Sequence, residues 1–349
     1  MKKIYSFLLV LCLVVSVASC SNSNKETAKT TTSPSISTLP SDTKPLHTIY
    51  AVGDIQDFNE KLGPLAEKLV AEDRSASWWI LGDGGYGEGS QVTDSYKEIV
   101  KVLDSNVELH AIFGDHDYGT QDPYRFTKAN RDIIGAERRI GAQNSFVFSV
   151  NDKGLLKQEN APTNQSSESL AWTITGANSI CVETGPDPSS DCSKETNDFF
   201  NRAVKENFEA TSCSIAMWHH PVFGVIKDGG NDQEYSEEFG TPFYKSSVQY
   251  GVDIILNADH HEFLATKKIG INGKLHLPEM SSPFTRQFIV GTGGAPLSGD
   301  NKTPKLSSDA VDSEIKNEVG VLKIDLFSSS ANLYFVTEKG IQYSTKVDC

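Results

Sequence analysis

Five short segments set carboxylate, imidazole or phenol side chains just past stretches that read as β-strands. They are Gly53-Asp54-Ile55-Gln56, Gly82-Asp83-Gly84-Gly85-Tyr86, Gly114-Asp115-His116-Asp117, Trp218-His219-His220-Pro221 and Ala258-Asp259-His260-His261. Asp, His and Tyr together form an oxygen- and nitrogen-donor set of the kind that ligates metal ions. The chemistry such a set supports is metal-assisted hydrolysis. No Ser–His–Asp arrangement or phosphate-cradling glycine loop competes with it.

The elements that must position these residues follow from hydrophobic spacing. Apolar runs at 48–52, 78–81 and 109–113 each end at Gly-Asp. Between them, Leu62, Leu65, Ala66, Leu69 and Val70, then Tyr96, Ile99, Val100 and Leu103, fall at helical spacing. Asn59 is the expected cap of the first helix, with Pro64 in its first turn. Strand, helix and strand repeating in this way is a βαβ signature with a parallel sheet, whose ligands gather beyond the strand C-termini. Further strands are expected at 145–150, 171–175, 214–218, 252–256 and 288–290, with a helix burying Phe199, Phe200, Ala203, Val204 and Phe208. Runs at 319–327, 331–336 and 341–347 predict an antiparallel addition.

In order and internal spacing the five segments resemble the calcineurin-like metallophosphoesterases, and most closely the purple acid phosphatases, from Ile49 to about Pro296. The likeness includes Gly291-Thr292-Gly293-Gly294-Ala295. The resemblance implies an α/β fold, a sandwich of two mixed β-sheets flanked by helices with the site at the strand ends. It also implies hydrolysis of phosphate monoesters by a hydroxide held at a binuclear centre. Carried over by position, Asp54, Tyr86 and His261 would hold one metal, Asp83 would bridge, and Asp115, His219 and Asp259 would complete the second site. His116 would act beside the substrate as proton donor or charge stabiliser. Gln56 replaces the His of the broader superfamily, while Tyr86 stands where the purple type has its tyrosinate. A phenolate favours Fe(III) at that site, with divalent Fe, Mn, Zn or Mg at the second.

Two positions depart from the pattern. Asp115 stands for Asn, and Asp259 for the first His of a Gly-His-x-His. Five anions (Asp54, Asp83, Tyr86, Asp115 and Asp259) would then cancel the five positive charges of an Fe(III)–M(II) pair. A neutral centre attracts phosphate less and acidifies water less. A shared proton on one Asp, or Mn, Mg or Ca at the second site, would relieve this. A one-residue slip that substitutes His260 for Asp259 stays open. So do a non-catalytic metal- or partner-binding role and a phosphodiesterase acting on nucleotides or lipids.

Around these residues, His220 is expected to alternate away from His219 and to line the substrate cleft or pack at its rim. Asp117 is placed to orient His116. His110 reads as a core residue, and Arg125 and Arg286 are candidate grips for phosphate.

The ends and the composition bound the rest. Lys2, Lys3, an apolar run at 4–17 and Val17-Ala18-Ser19-Cys20 resemble a bacterial lipoprotein signal, with Cys20 the lipidated residue. An ordinary secretory peptide is the alternative. Residues 21–46, rich in Ser, Thr, Lys and Pro, are expected to be a flexible tether spanning roughly 25–30 Å. Residues 47–349 would form one domain. The expected location is therefore exported, facing the periplasm or cell exterior, with the membrane engaged only through the N-terminal lipid. A formal net charge of −14 and no basic patch argue against a nucleic-acid partner, leaving a small phosphorylated substrate. The remaining cysteines, apart from Cys12, favour two disulfides in an exported chain. Cys181–Cys192 and Cys213–Cys349 are the expected pairs of three possible pairings.

Overall fold

The computed structural model describes residues 44–87, 90–104, 106–118, 129–130, 132–134, 141–142, 145–158, 170–179, 191–211, 213–224, 240–296 and 306–349. The expected signal and most of the expected tether, Cys20, Arg125 and the expected Cys181–Cys192 pairing lie outside them.

In the first half of the chain, strands β1 (His47–Val52), β2 (Ser77–Leu81), β3 (Leu109–Ile112) and β4 (Gly141–Ala142) pair in parallel. Helices α1 (Gly63–Glu72) and α2 (Ser90–Leu103) make the first two crossovers. Side chains alternate strictly across this sheet. Tyr50, Val52, Trp78 and Ile80 face the helices, and Ile49, Ala51, Trp79 and Leu81 face a second sheet. Burial on both faces explains why the strands read as continuous apolar runs. Leu62, not Asn59, holds the cap position of α1, and no side chain bonds there. Pro64 opens the helix, where its missing N–H costs nothing.

The second sheet is built from β5 (Ser145–Asn151), β6 (Gly154–Gln158), β7 (Trp172–Ala177), β8 (Cys213–Met217), β9 (Ile254–Asn257), β10 (Glu262–Thr266), β11 (Arg286–Val290) and β12 (Val311–Lys316). Its order is β12-β10-β11-β9-β8-β7-β5-β6, with β7, β8, β9 and β11 parallel. Helix α3 (Asp191–Ala210) packs on its outer face through Phe200 and Val204, and α4 (Thr241–Gln249) through Phe243, Tyr244 and Val248. The tail, β13 (Gly320–Leu326), β14 (Ser330–Thr337) and β15 (Gly340–Asp348), adds antiparallel to β1. The expected sandwich of two mixed sheets flanked by helices is therefore the observed architecture. Cys213, at the start of β8, meets Cys349 beyond β15 with Cα atoms 5.2 Å apart, a disulfide that joins the two sheets.

The parallel strands of both sheets end on the same side, and backbone bonds lace those ends together. Gly53 donates to Val290 O and Gly293 donates to Gly53 O, each at 2.9 Å, joining the exits of β1 and β11. Ala258 donates to His219 O, also at 2.9 Å.

Candidate metal centre

Three of the singled-out acids share one backbone device. Asp54, Asp83 and Asp259 follow β1, β2 and β9 with φ of 57°, 51° and 64°. The left-handed conformation turns the chain sharply out of the strand, and Asp tolerates it better than most residues. Gly114 provides clearance, since a Cβ there would stand 2.1 Å from Asp83 Oδ1. Gly291 does the same for Asp54 Oδ2, at 2.3 Å.

Asp54 is fully buried. Its Oδ1 accepts from Tyr86 Oη at 3.0 Å and lies 3.7 Å from His261 Nε2, while Oδ2 has no hydrogen-bond partner. The Tyr86 hydroxyl is also 2.9 Å from His261 Nε2, and His261 Nδ1 bonds Pro296 O. Asp83 accepts from the His116 backbone N–H at 3.0 Å. His219 Nδ1 donates to Leu81 O at 2.8 Å, so Nε2 carries the lone pair. That nitrogen lies 3.4 Å from Asp115, 3.7 Å from Asp83 and 4.0 Å from Asp259, with no hydrogen-bond partner.

Three donor groups, each with its atoms within 4.8 Å of one another, overlap here. They are Asp115–His219–His220–Asp259, Asp54–Asp83–His219 and Asp83–Asp115–His116. The two orphaned atoms, Asp54 Oδ2 and His219 Nε2, stand inside that crowd of carboxylates, as cation ligands would. The residues therefore fit a binuclear metal centre.

Electrostatics expresses the same crowding. Burial raises Asp54 and Asp83 above the usual carboxylate range against the pull of His219. Burial opposes the charge on His219, yet Asp83, Asp115, Asp54 and Asp259 hold it well above its ordinary value. Burial also works to raise Asp115, but the close approach of His219, at 3.4 Å, and the charges of His219, His220 and His116 leave it below the ordinary range. Burial, then Asp54 and Asp83, push the Tyr86 phenol far up, so only a strong cation would take its proton's place.

His116 sits half-exposed on the rim, its Nε2 3.6 Å from Asp115 and its ring 4.4 Å from that of Tyr86. Beside Tyr86 opens a cleft of about 490 Å³ that Gln56, Asp57, Phe58 and Glu98 help to line.

Three expectations change, and one open alternative closes. Asp117 does not orient His116. It is buried and accepts the backbone N–H of Asp83, Gly84 and Gly114 and the Tyr96 hydroxyl, bracing the loops after β2 and β3. Burial pushes its pKa up to about 6 against those bonds. Arg286 is no phosphate grip: it enters β11 at the end remote from Gly291, bonding Thr266 O, Thr345, Tyr343 and Asp312. His220 does not point away from His219. It is buried with Nδ1 3.0 Å from Ser179 Oγ and Nε2 3.8 Å from Asp115 Oδ1. The alternation argument fails because β8 ends at Met217 and both histidines stand in the following turn. His260, buried, has Nε2 3.8 Å from Asp259 Oδ2 and belongs to none of the three donor groups, so the slip is not the arrangement seen. His110 is in the core, stacked on Trp79 at 4.2 Å, as its strand position implied.

A model of the calcineurin-like phosphoesterases matches residues 47–263. Among solved structures, GAP50, described as the anchor in the inner membrane complex of Plasmodium, superposes with a TM-score of 0.54 at 11% identity, covering 86% of this chain and 88% of that one. Purple acid phosphatase PPD1 from yellow lupin seeds gives 0.51 at 15% identity, covering 86% of this chain and 53% of that one. These likenesses show the fold. No curated protein matches the chain.

Proposed function

From a chain that belongs to the calcineurin-like phosphoesterase family, we propose hydrolysis of small phosphate monoesters at a binuclear centre. Asp54, Tyr86, His261 and bridging Asp83 would hold one ion, and Asp115, His219 and Asp259 the other. The observation that carries the reading is the convergence of strand-end donors on His219 Nε2 and Asp54 Oδ2, two buried atoms with no hydrogen-bond partner. When bound, the ions would supply Lewis acidity toward phosphoryl oxygens and a nucleophile at neutral pH. Tyr86 supports Fe(III) at its site, and the mixed donors of the second support Mn, Fe, Zn or Mg.

The chain's own groups supply the rest. His116, on the rim beside Asp115, reaches the solvent side of the site, where it can hand a proton to the departing alkoxide. Asp117 holds the two loops that present Asp83 and Asp115 in fixed register. The cleft next to Tyr86 offers room for the organic part of the ester. The N-terminal sequence supports export and lipid anchoring through Cys20.

Turnover of a chromogenic phosphomonoester across pH with Fe, Mn, Zn or Mg tests this. No rate above buffer in folded protein would end the hydrolase reading. The acidic substitutions at Asp115 and Asp259 favour one other reading, a metal-binding or partner-binding lipoprotein without turnover. The anchoring named for GAP50 offers a parallel on a similar fold. Turnover of a diester panel in preference to monoesters would instead assign phosphodiesterase activity.

A further inference from the structure

We infer that His220 is a ligand of the second metal, supplying the imidazole that Asp259 withholds. This rests on the binuclear centre proposed above. Metal bonds of about 2.0–2.2 Å place neighbouring ligand atoms roughly 3.0–3.5 Å apart and opposite ones somewhat over 4 Å apart. In this structure His219 Nε2 and His220 Nε2 stand 3.4 and 3.8 Å from the same oxygen, Asp115 Oδ1, and Asp259 Oδ1 lies 4.0 Å from His219 Nε2. Shifts of a few tenths of an ångström would close these four donors around one ion.

The surroundings of His220 match those of a ligating histidine. Its ring is buried at 4.9 Å from that of His219. Ser179 Oγ, just past β7, lies 3.0 Å from Nδ1 and can accept its proton, which turns the Nε2 lone pair toward Asp115. Such outer partners fix the tautomer and orientation of metal-bound imidazoles. Because β7 and β8 are adjacent and parallel, their C-terminal exits deliver Ser179 and His220 to one place. The resulting set of two imidazoles and two carboxylates, with Asp83 bridging, suits Mn²⁺, Fe²⁺ or Zn²⁺.

Mn²⁺ titration of the full chain, with metal content and pulsed EPR, reads the assignment without using activity. Two ions are expected in the wild type. In His220→Gln, the second is expected to bind about a hundredfold more weakly and the count of coordinated imidazole nitrogens to fall by one. Ser179→Ala guards against misfolding of that variant, with the second site weakened about tenfold. Unchanged second-site affinity in folded His220→Gln, or in Ser179→Ala where the first variant does not fold, overturns the role of His220 and leaves the centre standing. A wild-type chain that binds fewer than two ions overturns both.

Discussion

His219 Nδ1 donates to the carbonyl oxygen of Leu81 at 2.8 Å, tying the turn after β8 to the last residue of β2. The bond crosses from one sheet to the other and sets the ring tautomer. Gly82 makes room for it, since a Cβ there would stand 2.2 Å from that nitrogen. Metal site and sheet packing are thus one construction: the residue that presents Nε2 to Asp83, Asp115 and Asp259 is held by the strand that delivers Asp83.

Tyr86→Phe tests the first site. The substitution removes the phenol oxygen that touches both Asp54 and His261 while leaving the ring against His116. Iron-loaded wild type should show a visible tyrosinate band that the variant lacks, along with reduced iron content. Identical colour and iron in both proteins would refute the ligand role.

Asp117→Ala tests the brace. Three backbone donors and the Tyr96 hydroxyl would lose their shared acceptor in a buried setting. A loss of about 3–5 kcal/mol is expected in urea unfolding, because stranded buried donors cost more than the bonds themselves gain. A loss below about 1 kcal/mol would show that water satisfies these groups instead.

Much of this was legible in the sequence where local rules reach. Apolar runs ending in Gly-Asp marked β1 to β3 because both faces of those strands are buried. What local rules missed lies at strand ends and edges. β12 alternates exposed and half-buried residues and carries Asp312, Glu314 and Lys316, so it lacks an apolar signature. β10 begins one residue after His261 and is hidden within that motif. Asp117 looked like a partner for its neighbour His116 because sequence shows adjacency, whereas its acceptors are filled by a loop more than thirty residues earlier. His220 was misplaced by carrying strand periodicity into a turn.

His47 should make stability acid-sensitive. Burial pushes its imidazole from 6.5 down to about 4, with Glu108 pulling the other way and His110 reinforcing the fall. Its Nε2 lies 2.7 Å from Ser77 Oγ. Between pH 6.5 and 4 the unfolded chain binds a proton that the folded chain refuses, so stability falls as pH falls through that window. From pH 7.5 to 5 the contribution is about 2 kcal/mol. Chemical unfolding at both pH values should show that much less acid loss in His47→Gln; equal losses would show that other groups set the dependence.

The Cys213–Cys349 bridge should matter to stability more than to the site. It closes a sequence separation of 136 residues and joins β8 to the end of the tail. Cys349→Ser should lower unfolding free energy by about 2–4 kcal/mol, the usual range for disulfides closing long loops. Metal content should stay at the wild-type value. An unchanged denaturation midpoint under non-reducing conditions would show that the bond contributes nothing.

Asp115→Asn separates the catalytic reading from the silent one. Asp115 Oδ1 is the oxygen shared by His219 and His220, and an amide oxygen can occupy its place without a change of shape. At the proposed Fe(III)–M(II) centre the substitution would remove one of five anions, leaving a net positive centre that would bind phosphoryl oxygens more strongly and acidify water more effectively. A rise in kcat/KM for a phosphomonoester of about tenfold is expected, the equivalent of roughly 1.4 kcal/mol at the transition state. Asp115→Ala, which removes both the charge and the donor, should lose the second metal and fall below wild type. If both variants lose metal and rate alike, the Asp115 carboxylate is needed as a charged ligand, and surplus negative charge is not what limits turnover.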